Sequence, residues 1–251
     1  MRKLILGLVF AILPAVGLAA GPTGSLDSMK PDHTDKESLQ RGAAMFTNYC
    51  MGCHSMEYAR YKRVSEDLEI PEELFEENLI FTGAKMGELM QNSMSKDMAA
   101  DWFGAPPPDL TMVTRVRGES WVYSYLRGFY KDDTRPLGVN NVVFDKVGMP
   151  HVMVDMQGLC AVEPSIGVNA SVEPLSGNVN NAGVCPEYAT EGSMSGAEFE
   201  QAMWDLTNFM SYMGDPVKVE RERLGVFVLI FVAIFFVFAY LLNREYWKDV
   251  H

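Results

Sequence analysis

Apolar residues are distributed along this chain in two ways: as two continuous blocks near its ends, and as periodic patterns between them. The first block, residues 4–16, follows two basic residues and precedes a run of small residues that ends at Ala20. This pattern is typical of a secretory signal peptide. We therefore predict that residues 1–20 are a signal peptide cleaved near Ala19 or Ala20, with an uncleaved anchor as the alternative.

The second block, residues 224–242, contains no charged residue. At 1.5 Å per residue such a helix spans about 28 Å, which is close to the hydrocarbon thickness of a bilayer. A buried core helix is the alternative, but uniform apolarity favours a membrane helix. We predict a transmembrane helix over 224–242, a connector over 217–223 and a tail over 243–251. Its candidate interface anchors are Arg221, Arg223, Arg244, Tyr246, Trp247 and Lys248.

Two segments between the blocks carry helical periodicity behind a capping box, the pattern Ser/Thr-x-x-Glu. Thr34 and Glu37 form the first box and Ser195 and Glu198 the second, whose helix should end at Gly214. The first apolar face comprises Leu39, Ala43, Phe46 and Cys50. The second comprises Phe199, Ala202, Met203, Leu206, Phe209 and Met210. We therefore predict one amphipathic helix behind each capping box.

Composition limits the function classes. The 251 residues include 33 acidic and 21 basic side chains, which gives a net charge of −12. This balance argues against a general nucleic-acid-binding protein, which needs a basic surface. Without the two blocks the chain is about 41 % apolar, enough for one domain with its own core. The signal peptide predicts that residues 21–216 are exported to the periplasm and that the tail stays in the cytoplasm.

Candidate chemistry begins with Cys50, Cys53 and His54, which form the C-x-x-C-H pattern of covalent c-type haem attachment. Thiols three residues apart on a helical turn face the same side and reach two vinyl groups of one haem. The adjacent imidazole is then an axial ligand of the iron. A thioredoxin-like pair needs a βαβ context and a zinc site needs a second ligand pair, and neither is visible in the sequence.

The other two cysteines, Cys160 and Cys185, lie in the predicted exported domain. An oxidising compartment favours a disulfide between them. In the chain-entropy model this crosslink contributes roughly 3.5 kcal/mol, since it closes a long segment rich in Gly, Asn, Ser and Pro. Two free thiols are the alternative.

Four motifs occur in a fixed order: RGAAMFTNYCMGCHSMEYARY, APPPDLTMVTRVRG, WVYSYLRGFY and VGMPHVM, followed by the apolar anchor. In these motifs the chain resembles the cytochrome c1 family, the haem subunits of ubiquinol–cytochrome c oxidoreductase (the bc1 complex). The resemblance covers nearly all of the predicted mature chain. It implies a mostly α fold, a cytochrome c-type haem domain with one C-terminal transmembrane helix. In such a domain the helix after Ser195 is the closing helix and packs against the first helix, which precedes Cys50.

The resemblance also implies one covalently attached haem c with its iron, and an electron-transfer role. Electrons would pass one at a time from a Rieske iron–sulfur protein to a soluble or membrane-bound cytochrome c. The implied partners are cytochrome b, the Rieske protein and membrane lipid, in a homodimeric complex of the bacterial inner membrane.

For the sixth iron ligand, the resemblance points to Met149 in the Val-Gly-Met-Pro segment. Pro150 restricts Met149 to extended or turn geometry, and His/Met ligation raises the reduction potential. The sequence leaves rival ligands open, namely His33, His151, Met153 and Met156.

The resemblance further implies that an arginine pairs with a haem propionate. Arg117 matches this position best, with Arg115 as the neighbouring candidate. Residues 106–108 are three prolines, and we expect them, Pro108 included, to form a rigid wall against the haem. We expect the nearby aromatic residues Trp121, Tyr123 and Tyr125 to serve mostly as packing.

An acidic run occupies residues 65–78. It is either a solvated face or a docking surface for a basic cytochrome c, because complementary charge accelerates association. Its members are Glu66, Asp67, Glu69, Glu72, Glu73, Glu76 and Glu77.

The leading hypothesis is thus an electron-transfer subunit of the bc1 complex, an oxidoreductase only as part of the assembly. A membrane-tethered cytochrome that shuttles electrons to a terminal oxidase is one alternative. A haem-based gas sensor with a labile sixth ligand is another.

Overall fold

The structure, a computed structural model, describes residues 26–167, 171–172, 179–180 and 185–248. Residues 1–20, the predicted signal peptide, lie outside this range. The described helices are α1 (Lys36–Met45), α2 (Tyr61–Asp67), α3 (Glu72–Leu79), α4 (Lys96–Phe103), α5 (Val113–Arg117), α6 (Glu119–Arg127), α7 (Val154–Gln157), α8 (Gly196–Gly214) and α9 (Lys218–Tyr246). The predicted mostly helical fold is confirmed.

Short strands form antiparallel pairs rather than a larger sheet within the described residues. The pairs are β1 (Met56–Arg60) with β2 (Leu89–Met90), β3 (Phe129–Lys131) with β4 (Val139–Asn141), β5 (Gly158–Cys160) with β8 (Tyr188–Glu191), and β6 (Ser171–Val172) with β7 (Val179–Asn180). They connect and brace the helices.

The N-cap of α1 is Asp35, one residue after the predicted cap, Thr34. The Asp35 side chain accepts a hydrogen bond from the Ser38 backbone N–H at 2.9 Å, whereas Thr34 donates to Asp32 through both its backbone N–H and its hydroxyl. The predicted capping box of Thr34 and Glu37 is therefore wrong. Aspartate is a stronger N-cap than threonine, and the Thr34 hydroxyl is already hydrogen-bonded to Asp32. The apolar face is confirmed, since Leu39, Ala43, Phe46 and Cys50 are all buried.

The core of the domain is the contact between α1 and α8. A Cβ atom at Gly42 would overlap the Asp205 carbonyl oxygen and lie 2.6 Å from the Phe209 Cβ, so only glycine allows this approach. Arg41 crosses the same contact to bind the Asp205 carboxylate at 2.6 Å. The Ser195–Glu198 capping box is present and α8 ends at Gly214, as predicted. The predicted packing of the two helices is confirmed.

A buried ion cluster ties the N-terminal segment to this core. The Arg127 guanidinium is fully buried and binds Asp27 at 2.9 Å and Glu200 at 2.8 Å. It also lies 4.3 Å from the centroid of the Tyr123 ring. Because both carboxylates pair with one arginine, the cluster joins α6, α8 and the segment before α1.

Helix α9 carries the second apolar block. In the described part of the chain it is the one helix long and apolar enough to cross a bilayer, with a mean hydropathy of 3.0. It starts at Lys218 rather than at residue 224, so most of the predicted connector is helical. The turn over 215–217 separates it from α8, and Arg221 reaches back to bind both Asp215 carboxylate oxygens at 2.8 and 2.6 Å.

Replacing Gly42 with alanine tests the helix contact. We expect Gly42→Ala to destabilise the fold by about 1–3 kcal/mol, the usual cost of overpacking, and to lower the midpoint of thermal unfolding of the full chain in detergent. The control is Gly196→Ala, because a Cβ at Gly196 meets no atom within 4 Å. Equal midpoints for the two variants would contradict the contact.

Candidate functional site

An open, largely apolar cavity lies between the end of α1, helices α5 and α6, and the loop over residues 142–149. Its volume is about 280 Å³, near the lower end of the size range of sites for organic ligands. The residues that line it are Cys50, His54, Pro108, Leu110, Val113, Arg117, Trp121, Val122, Tyr125, Leu126, Phe144, Val147, Gly148, Met149 and Met210.

The two cysteines of the C-x-x-C-H pattern lie at the end of α1. The helix continues as a π-helical turn, Phe46–Cys50, and the backbone N–H groups of Cys53 and His54 then both donate to the Cys50 carbonyl, at 3.0 and 2.8 Å. Both thiols are outside any disulfide. Cys50 is buried against the cavity, and burial raises its pKa to about 12. The turn thus presents the neutral Cys50 thiol at the cavity wall, with Cys53 three residues further along the chain.

His54 is held in one orientation by the proline segment. Its Nδ1 lies 2.8 Å from the Pro108 carbonyl oxygen, so Nδ1 carries the proton and Nε2 has the free lone pair. Burial lowers the pKa of His54, which keeps the imidazole neutral. A metal-binding histidine usually has its other ring N–H donating a hydrogen bond to a group such as a backbone carbonyl.

Met149 lies in the same cavity as His54. Its sulfur accepts a hydrogen bond from the Tyr125 hydroxyl at 3.4 Å. Burial raises the pKa of Tyr125, so the hydroxyl remains a donor. A thioether, which is a ligand for haem iron, is therefore held at a defined place in the cavity.

The rival ligands lie elsewhere. His151 is buried with its ring stacked on Phe129 at 4.8 Å and its Nε2 3.1 Å from the Gly158 carbonyl oxygen. His33 is bonded to Ser211. Met153 and Met156 are buried in the main core. Of the ligands that the sequence left open, Met149 alone lines the cavity with His54; Met210 of α8 also lines it and is packed in the main core.

The structure separates the two candidate arginines. Arg117 lines the cavity, and its guanidinium lies 5.1 Å from the centroid of the Trp121 ring. Arg115 lies instead beside Gly214 at the end of α8. Residues two apart on a helix point in different directions, which explains the split. Pro108 lines the cavity, whereas Pro106 and Pro107 line a separate polar cleft.

Two aromatic residues contribute more than packing. Trp121 and Tyr125 stack at 5.0 Å between ring centroids and pack against the main core, as expected, and they also line the cavity. Tyr123 faces the buried Arg127 instead. A signal was present for the aromatic pair: Trp121 and Tyr125 are four residues apart on α6, the spacing of one helical face, whereas Arg117 ends the separate helix α5.

The acidic run folds into α2, α3 and the turn between them, and none of its residues lines the described cavity. Asp67 is engaged by Arg63 at 2.5 Å and by the Tyr212 hydroxyl at 2.7 Å, and Lys62 pairs with Glu66 and Glu72. The other four glutamates, Glu69, Glu73, Glu76 and Glu77, are exposed to solvent.

Cys160 and Cys185 form a disulfide, with their Cα atoms 5.5 Å apart. The bond links β5 to the segment before β8, at the ends of the intervening loop. Much of that loop lies outside the described residues.

Taken together, the residues of the cavity fit a haem c. The unpaired Cys50 thiol lies at its wall with the unpaired Cys53 three residues further on, a neutral imidazole presents Nε2, and a thioether lies in the same cavity. Among the described residues, the walls are apolar with a single arginine. This donor set suits a large apolar macrocycle that carries an iron and two carboxylates.

Comparisons with known proteins agree with this chemistry. A family model described as the Cytochrome C1 family matches residues 28–181 and 187–250. Cytochrome c1 of Allochromatium vinosum is 49 % identical over the whole of both chains. A protein named ammonia monooxygenase gamma subunit, from Nitrosomonas europaea, is 39 % identical over 99 % of this chain and all of its own. Cytochrome c1 of Rhodobacter capsulatus is 20 % identical over 98 % of this chain and 97 % of its own.

Proposed function

The chain belongs to the cytochrome c1 family, and we propose that it passes single electrons from a Rieske iron–sulfur protein to a cytochrome c. Membership makes it a c-type cytochrome of the bc1 complex, together with cytochrome b and the Rieske protein. The redox reaction belongs to that assembly. The observation that carries the proposal is the shared cavity of His54 and Met149 beside two unpaired cysteines.

One haem c would be attached through Cys50 and Cys53 and held axially by His54 Nε2 and Met149 Sδ. Bound there, its iron supplies one-electron redox chemistry, at a potential that His/Met ligation raises. Pro108 fixes the imidazole because its carbonyl oxygen accepts the hydrogen bond from Nδ1–H. Tyr125 donates to the Met149 sulfur, and the apolar walls restrict water.

Arg117 would pair with a haem propionate, because it is the cation that lines the cavity. An arginine is well suited to hold a carboxylate in a partly buried place. The orientation of Arg115 toward the end of α8 does not support a similar role.

The proposed topology is a single-pass membrane protein. Helix α9 anchors the chain, the haem domain over 21–216 lies in the periplasm, and residues 243–251 lie in the cytoplasm of a bacterium. Residues 1–20 act as a cleaved signal peptide. The bc1 complex would be a homodimer, and a basic cytochrome c would accept the electron.

Substitution of the proposed ligand tests the function most directly. We expect Met149→Leu to lower the midpoint potential by on the order of 0.1 V or more, since axial ligands set haem potentials over about 0.8 V. The reduced variant should bind CO, which the wild type should exclude. Potentiometric titration and CO difference spectra measure both effects.

The matched control for this ligand is Met153→Leu, a volume-conserving change of a buried methionine outside the cavity. It should leave both properties unchanged. A lowered potential in Met153→Leu but not in Met149→Leu would contradict the assignment. Rapid CO binding by the wild type would instead favour a gas sensor.

The arginine assignment predicts unequal effects of two similar substitutions. Removal of a positive charge beside the haem disfavours its more electron-rich reduced state. Arg117→Gln should therefore lower the midpoint potential, by less than Met149→Leu, whereas Arg115→Gln should leave it near the wild-type value. Equal shifts in the two variants would contradict the assignment.

The docking surface is tested on α3. We expect the triple variant Glu73→Gln, Glu76→Gln and Glu77→Gln to slow turnover with a basic cytochrome c severalfold at low salt and to flatten its salt dependence. The control removes the same charge from exposed residues elsewhere: Glu163→Gln, Glu187→Gln and Glu191→Gln. If the two triple variants have the same rate and salt dependence, the run is only a solvated face.

A further inference from the structure

The proposed ligand Met149 lies on a loop without helix or strand, and one buried side chain connects that loop to the rest of the fold. Asn141, the last residue of β4, is 1 % exposed. Its Nδ2 donates to the Tyr125 carbonyl oxygen at 2.8 Å. Its Oδ1 accepts from the backbone N–H groups of Val143 at 2.9 Å and Phe144 at 3.3 Å.

These hydrogen bonds join the start of the loop to helix α6. The loop begins after Asn141 and carries Phe144, Val147 and Met149 into the cavity. The residue that receives the Asn141 amide is Tyr125, whose hydroxyl also donates to the Met149 sulfur. Both ends of the loop are therefore hydrogen-bonded to Tyr125 of α6. Asn141 binds its backbone carbonyl at one end, and Met149 binds its hydroxyl at the other.

Asparagine is required by the hydrogen-bond chemistry of this place. A carbonyl must be met by a donor and two N–H groups by an acceptor, and a side-chain amide supplies both. The Asn141 amide also packs closely against Gly128, because a Cβ atom at Gly128 would lie 3.1 Å from the Asn141 Oδ1. In a buried place each unmet backbone group is costly.

The neighbouring Asn140 holds the rest of the loop. Its Oδ1 accepts from the Lys146 N–H at 2.9 Å, and its Nδ2 donates to the Asp145 carboxylate at 2.9 Å. Asn140 of β4 thus also fixes Asp145 and Lys146, which lie further along the loop. Asn141 is the member of the pair that reaches α6.

We infer that Asn141 is a positioning residue that holds Met149 within reach of the haem iron, by fixing the Met149 loop to α6. The inference rests on the proposed ligand role of Met149. Asn141 itself does not line the cavity, so its effect is transmitted through the loop backbone and Tyr125.

The test is Asn141→Ala in the full-length holoprotein. Loss of the anchor should increase hydrogen exchange of the 142–149 peptide by at least about tenfold, because all three side-chain hydrogen bonds of Asn141 are lost. The fraction of reduced protein that binds CO should rise by a similar factor. Unchanged exchange, or unchanged CO binding despite faster exchange, would overturn the inference.

A matched control separates positioning from a general loss of stability. Asn208 is also a fully buried asparagine with three side-chain hydrogen bonds, to the Asp32 backbone N–H and carbonyl and to the Ser38 hydroxyl. It lies outside the cavity, so Asn208→Ala should lower the unfolding midpoint without promoting CO binding. If it promotes CO binding as much as Asn141→Ala does, Asn141 has no specific role.

If Asn141→Ala does not assemble, Asn141→Asp replaces it. Ionised aspartate keeps the two accepted hydrogen bonds and loses the donated one. It should therefore break only the hydrogen bond between Asn141 and α6. It should still increase CO binding, and a wild-type level would overturn the inference. Met149→Leu is measured in parallel: if that variant excludes CO as the wild type does, the proposed ligand is wrong, whereas a normal Met149→Leu result with inert Asn141 variants refutes only the positioning role.

Discussion

The close contact between α1 and α8 is the constraint on which the site depends. Because Gly42 has no side chain, α1 lies directly against the α8 backbone at Asp205, and this depth sets where Cys50 ends the π-helical turn. Helix α8 also places the opposite wall, since Thr114 of α5 donates to the Met210 carbonyl and Ser211 donates to Glu119 at the start of α6. The thiol, the arginine and the aromatic pair therefore take their positions from one helix.

The cavity is electrostatically simple although the chain is strongly acidic. Its walls are apolar, its imidazole and hydroxyl are neutral, and Arg117 is the single cation among the described residues that line it. The acidic residues of α2 and α3 are outside it, and the carboxylates of Asp27 and Glu200 pair with the buried Arg127 on another side of α6. Since charges in an apolar medium interact strongly, a cavity with one cation gives that cation a large influence on any charged group bound there.

Features of the fold that depend on local sequence were predictable. The apolar faces of α1 and α8 follow from residue spacing, and the Ser195 cap follows from its reciprocal pair with Glu198. Where two acceptors are adjacent, as at Thr34 and Asp35, the pattern does not decide which one caps the helix, because Asp32 competes for the threonine. The choice between Arg115 and Arg117 depends on how a five-residue helix is rotated against α8, which no local pattern specifies.

The two sides of the proposed iron site differ in how they are held. His54 follows a helix and a turn, and its ring is fixed by a backbone carbonyl in a proline segment, whose own conformations are few. Met149 lies on a loop that has no repeating backbone bonds, so side chains must replace them. The bonds that do so are made by Asn140 and Asn141 to groups up to 16 residues away. Such partners are invisible to hydrophobic periodicity, which explains why the sequence identified Met149 only through a family resemblance. They also make the methionine side the more deformable half of the site, because a helix loses one of many bonds in a substitution whereas this loop loses one of few.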